Sequence, residues 1–137
     1  MSRRGSDATV ASVPRALTVA ACAAAAFSLA WPSPASAHAY LVRSSPPARA
    51  VVARAPERVQ LWFNERLEPA YSHVSVWNGD AQRVDAGDVR VAPGEPTRLS
   101  VGVPPLPAGA YTVRYRVLSV DGHVVEAGFA FTVRGAP

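Results

Sequence analysis

The strongest constraint on this chain's fold is an alternation near its C-terminal end. Val113, Tyr115 and Val117 recur at every second position of Tyr111–Leu118, and Ala127, Phe129, Phe131 and Val133 do the same in Val125–Arg134. Side chains of a strand alternate between its two faces, so a period of two marks a half-buried strand. Between the runs lies Ser119-Val120-Asp121-Gly122-His123, whose Ser, Asp and Gly are turn formers. The pair is therefore expected to fold as a hairpin with those alternate residues facing inward.

The same pattern recurs upstream. Val59, Leu61 and Phe63 alternate with Gln60, Trp62 and Asn64. His73–Trp77 places Val74 and Val76 on one face, and Asn78-Gly79 after it is a strong hairpin signal. Arg98–Val103 groups Leu99, Val101 and Val103 before the loop-forming Pro104, Pro105, Pro107 and Gly109. No segment after residue 37 has sustained helical periodicity, internal repeats or low complexity. The expectation is an all-β domain: a Greek-key β-barrel or immunoglobulin-like sandwich.

Residues 1–37 read differently. Arg3, Arg4 and Arg15 precede an uncharged apolar run from Ala16 to Trp31, followed by Pro32, Pro34 and the small residues Ala35-Ser36-Ala37. That order is that of a secretory signal peptide cleaved after Ala37, and the run is short for a membrane span of roughly 20 residues. Two other readings are weaker. Val19-Ala20-Ala21-Cys22 loosely matches a lipoprotein site but lies early in the apolar run, and Arg3-Arg4 hints at twin-arginine export without the apolar residues that should follow. The expected product is residues 38–137, one exported β domain, periplasmic or extracellular/cell-envelope. It should be monomeric and lack a transmembrane segment.

Composition narrows what that domain can do. Of 14 basic and 10 acidic residues, Arg3, Arg4, Arg15 and Asp7 lie before residue 38, which leaves a net charge of only +2. The remaining arginines are scattered, so nucleic acid is not an expected partner. The single Cys (Cys22) and single Met (Met1) also precede residue 38. The domain thus has no disulfide, no zinc-thiolate site and no soft-sulfur site for Cu(I). All three histidines, His38, His73 and His123, lie within it.

Cleavage after Ala37 would put His38 at the N-terminus, where its free amine and its imidazole Nδ1 can chelate one metal. Both deprotonate cheaply near neutral pH, with ordinary pKa values of about 7.7–8.0 and 6.5. A second imidazole opposite would complete a histidine brace of three nitrogens, which suits tetragonal Cu(II). His123 is the natural partner. Asp121, two residues before it and separated by a glycine, could supply a fourth, anionic donor from the same turn. Each feature also has a plain reading. A histidine after a signal site arises by chance, and Asp-Gly is ordinary turn chemistry. His73 shares parity with Ser75 and Trp77 on the expected solvent face, and Trp62 and Trp77 read as packing or surface aromatics.

The stretches "HAYLVRSSPPARAVV", "APERVQLWFNERLEP" and "LPAGAYTVRYRVLSVDGHVVEAGFAFTV" resemble the CopC-like family of periplasmic copper-binding, copper-resistance proteins over nearly all of residues 38–133. The resemblance implies an immunoglobulin-like Greek-key barrel and one Cu(II) per chain on His38, Asp121 and His123. It also implies an acidic residue beside the site, at Glu65, and a copper-transporting membrane partner. Some members carry a Met-rich loop for Cu(I). With Met1 the only methionine, the resemblance here is to a Cu(II)-only member. The leading expectation is a copper carrier without enzymatic activity. The alternatives are a histidine-brace oxidative enzyme and a metal-free interaction sandwich.

Overall fold

A computed structural model describes residues 38–135. The signal peptide assigned to residues 1–37 lies outside the described residues. The alternating C-terminal runs form two ten-residue strands, Gly109–Leu118 and Val124–Val133, paired antiparallel from Leu118↔Val124 to Gly109↔Val133. In chain order the strands are β1 (Leu41–Ser45), β2 (Val51–Val52), β3 (Arg58–Phe63), β4 (His73–Trp77), β5 (Arg90–Ala92), β6 (Glu95–Gly102), and the hairpin strands β7 and β8. They make two four-stranded sheets, ordered β1-β3-β6-β5 and β2-β8-β7-β4. The chain crosses between the sheets repeatedly, as an immunoglobulin-like sandwich requires.

The core lies between the sheets and takes its residues from the alternating positions. Val59, Leu61, Phe63, Leu99, Val101 and Val103 face Val74, Val76, Tyr111, Val113, Tyr115, Val117, Phe131 and Val133, all buried. Each fully buried Val, Leu or Phe contributes about 1.5–3 kcal/mol relative to exposure. Phe63 meets Tyr115 edge to face with ring centroids 5.4 Å apart, and Tyr111 stacks on Phe131 at 5.6 Å. Aromatic pairs favour such offset and edge arrangements. The Tyr111 hydroxyl donates to Pro107 O at 2.7 Å, pinning the start of β7 in the manner of a tyrosine corner.

Three details differ from the sequence expectation. Ala127 is exposed although it has inward parity. Its strand borders β2 only at Val51↔Thr132 and Val52↔Val133, so the other end of β8 is open at the sheet edge. The Asn78-Gly79 signal gives a turn but no long hairpin. Asn78 Oδ1 accepts from Asp80 N and Gln82 N at 3.0 and 2.9 Å, and a single bridge, Trp77↔Arg83, follows. The extended partner of β4 is β7. Finally, β1, β2 and β5 carry no alternation by which the sequence could announce them.

Candidate metal centre

The turn between β7 and β8 is held from within. Ser119 N donates to His123 O at 3.0 Å and Gly122 N to Ser119 O at 2.9 Å. Gly122 has φ +92, a region where a side chain is strained and glycine is not. Ser119 is fully buried beneath the turn and bridges to Leu67, while Val120 N donates to Arg66 O at 2.9 Å. The Asp-Gly-His tip therefore stands on a buried base.

On this base Asp121 and His123 project to the same side. The Ser119 hydroxyl donates to Asp121 Oδ1, and His123 Nδ1 lies 3.0 Å from Asp121 Oδ2. The Ser119 hydrogen bond, aided by the His123 contacts, outweighs desolvation and holds the Asp121 carboxyl below its ordinary pKa. An ionised carboxylate only accepts, so this contact uses an Nδ1–H of His123 and points Nε2 away from Asp121, toward a ligand. Both side chains are open to solvent, 45% exposed for His123 and 38% for Asp121.

His38 arrives from the other end of the described chain. Its exposed ring meets that of His123 edge to face, centroids 4.9 Å apart at 85°. Ala39 is buried at 2% exposure and plugs the segment into the domain. The three residues singled out in the sequence are thus brought together. They do not form a finished cage: among the described residues no three His, Cys, Asp or Glu side chains already converge as a metal-binding group. With residues 1–37 attached, the His38 nitrogen is an amide, whose delocalised lone pair makes it a poor donor.

Glu65 is half-buried in the loop after β3. The hydrogen bonds to residues 38–40 come from its neighbour Asn64, which sequence reasoning passed over as a polar position of the strand. Ser119, a turn residue by its type, also supports Asp121 through its hydroxyl. His73 lies on the solvent face of β4, opposite Arg116. Trp62 and Trp77 are half-buried on outer faces. Trp62 donates to Glu95 Oε1 at 2.9 Å under the Arg43 guanidinium, and Trp77 donates to Ser75 Oγ at 2.8 Å.

The CopC domain family matches residues 41–134. The chain is 36% identical over 107 residues to copper resistance protein C of Escherichia coli, covering 73% of this chain and 84% of that protein. It is 30% identical over 103 residues to the copper transport protein CutJ of Bacillus subtilis (strain 168), covering 74% of this chain but only 19% of that relative's length. Among solved structures, CopC from Methylosinus trichosporium OB3b superposes with a TM-score of 0.69 at 38% identity, covering 73% of this chain and 97% of that one. PcoC, a methionine-rich copper resistance protein from Escherichia coli, gives 0.59 at 34% identity, covering 72% and 100%.

Proposed function

The chain belongs to the CopC domain family, and on that premise we propose that it is an exported Cu(II)-binding protein whose metal site is completed by proteolytic processing. Removal of residues 1–37 frees the His38 amine. Amine and imidazole of His38, the imidazole of His123 and the Asp121 carboxylate then supply three nitrogens and one oxygen to a single copper. Such a set suits the tetragonal preference of Cu(II). The observation that carries this reading is the meeting of the His38 and His123 rings, 4.9 Å apart, beside the Asp121 carboxylate. With Cys22 and Met1 both before residue 38, the domain offers no sulfur ligand, and soft Cu(I) is disfavoured.

The role is copper carriage for resistance or transport rather than catalysis. Asp121 would supply a fourth donor to the copper, where an oxidative copper enzyme would need a position open for oxygen. The relatives named for copper resistance and copper transport support this reading, as does the signal-like order of residues 1–37. In the cell envelope the protein would pass its single copper to a membrane transporter. Among the described residues no helix is long and apolar enough to cross a membrane.

The test is a Cu(II) titration against a competing chelator with two purified forms, one beginning at His38 and one carrying an additional Ala before it. The expected result is one equivalent bound far more tightly by the first form. Equal binding by both would remove the terminal amine from the site, and absence of binding by either would refute the copper reading.

A further inference from the structure

We propose that Asn64 is the positioning residue of the N-terminal histidine, and that residues 64–68 form a short brace holding the two ligand-bearing segments at a fixed separation. This rests on the copper reading above and deepens it. The β1–β3 ladder begins at Leu41↔Phe63, three residues after His38. Beyond that point Asn64 continues the pairing. Its backbone N donates to Tyr40 O at 3.2 Å, its Oδ1 accepts from Tyr40 N at 2.6 Å, and its Nδ2 donates to His38 O at 3.4 Å. Tyr40 N–H can only donate and a carbonyl can only accept, so the orientation of the carboxamide follows from its two partners.

These contacts flank Ala39, which is itself buried. The backbone on both sides of Ala39 is therefore held, up to and including the His38 carbonyl. Only a carboxamide can do this from position 64. An aspartate would keep the Tyr40 contact but turn an acceptor toward the His38 carbonyl, and an apolar residue would keep neither.

The other end of the same segment grips the Asp-Gly-His turn. Arg66 O accepts from Val120 N at 2.9 Å, Leu67 bridges to Ser119, and Glu68 N donates to Leu118 O at 2.8 Å. Leu67 is buried, and its N donates to Pro96 O at 2.9 Å, tying the segment to the opposite sheet. One five-residue stretch thus touches both segments whose side chains must reach one ion. That is the kind of rigid support that pre-organises a site before its ligand arrives.

The experiment uses the chain beginning at His38 and its Asn64→Ala and Asn64→Asp variants, each checked for cooperative unfolding. Three readouts are taken: Cu(II) affinity by chelator competition, the Cu(II) electron paramagnetic resonance spectrum, and exchange of the Tyr40 amide in the metal-free protein. Both variants should bind Cu(II) at least about tenfold more weakly, equivalent to about 1.4 kcal/mol, with altered copper spectra. The Tyr40 amide should lose protection in Asn64→Ala and keep it in Asn64→Asp. In the form carrying an additional Ala before His38, Asn64→Ala should change affinity by less than about twofold, because no amine stands where Asn64 would place it. Variants that bind like the parent with unchanged spectra would overturn the inference while leaving the copper site intact. An equal loss in the Ala-extended form would also overturn it, by showing a general structural effect. A parent that binds no copper would remove both readings together.

Discussion

Asp85 gives a stability prediction whose size follows from its contacts. Its carboxylate is closed off from solvent and accepts from Val76 N at 2.9 Å, Gly87 N at 2.9 Å and the Arg83 guanidinium at 2.8 and 3.0 Å. β4 is an edge strand, and the Val76 N–H would otherwise point out of the sheet, so Asp85 closes that edge. Replacing Asp85 by Ala orphans the amide of a fully buried residue, which costs about 1–3 kcal/mol. The exposed Gly87 amide and half-exposed Arg83 add only about 1 kcal/mol, since water replaces their partner. The expected loss is about 3 kcal/mol, a fall in Tm of roughly 10–25 °C for a domain this size. Urea unfolding at pH 7 measures it directly. Burial pushes the Asp85 pKa up, but Arg83 and the two backbone donors outweigh it and hold it below the ordinary value. The Asp85 contribution is therefore fully present above the unfolded pKa of about 3.9 and is lost as pH falls through the lower folded value. Asp85→Asn should lack this acid-range component while costing less than Ala at pH 7. A loss below about 1 kcal/mol for Asp85→Ala would refute the account, because it would mean the Val76 amide does not depend on this carboxylate.

Gly128 lies where a Cβ would come within 2.5 Å of Val113 O, a backbone atom of the paired strand. Gly128→Ala should cost about 1–3 kcal/mol by forcing the two longest strands apart, read as a lowered urea midpoint. The Asp121 carboxyl is likewise held below its ordinary pKa, chiefly by the Ser119 hydroxyl. Ser119→Ala should raise the Asp121 pKa, measurable by carboxyl NMR titration of the metal-free protein, and should weaken Cu(II) binding. His73 stands on the solvent face of β4 opposite Arg116 and is outside the proposed ligand set, so His73→Ala should leave one copper bound with unchanged affinity.

The alternation was enough to identify most of the core. Val59, Leu61 and Phe63, Val74 and Val76, Leu99, Val101 and Val103, and the inward set of β7 are all buried as their parity requires, because strand geometry ties facing direction to position alone. Parity cannot report where a sheet ends. Ala127 has the right parity but sits where β8 has no outer neighbour. β1 escaped notice for a related reason. It is an edge strand with a register shift between Leu41 and Arg43, so its two faces are not cleanly divided into buried and exposed.

The candidate ligands were legible by their chemistry. A histidine behind an Ala-Ser-Ala stretch and an aspartate two residues from another histidine are local facts, and so is the absence of sulfur after Cys22. What brings His38 within 4.9 Å of His123 is not local. It depends on β1 joining one sheet and the β7–β8 turn closing the other, with residues 64–68 tied to both. Asn64 and Ser119 could be recognised only there, because a hydrogen-bonding side chain reveals its purpose through its partner. Which faces are apolar and which donors exist are properties of single residues and their spacing, and so could be read along the chain. Which donors meet is set by the packing of two sheets whose contacts are remote along the chain, and so appears only once they are folded together.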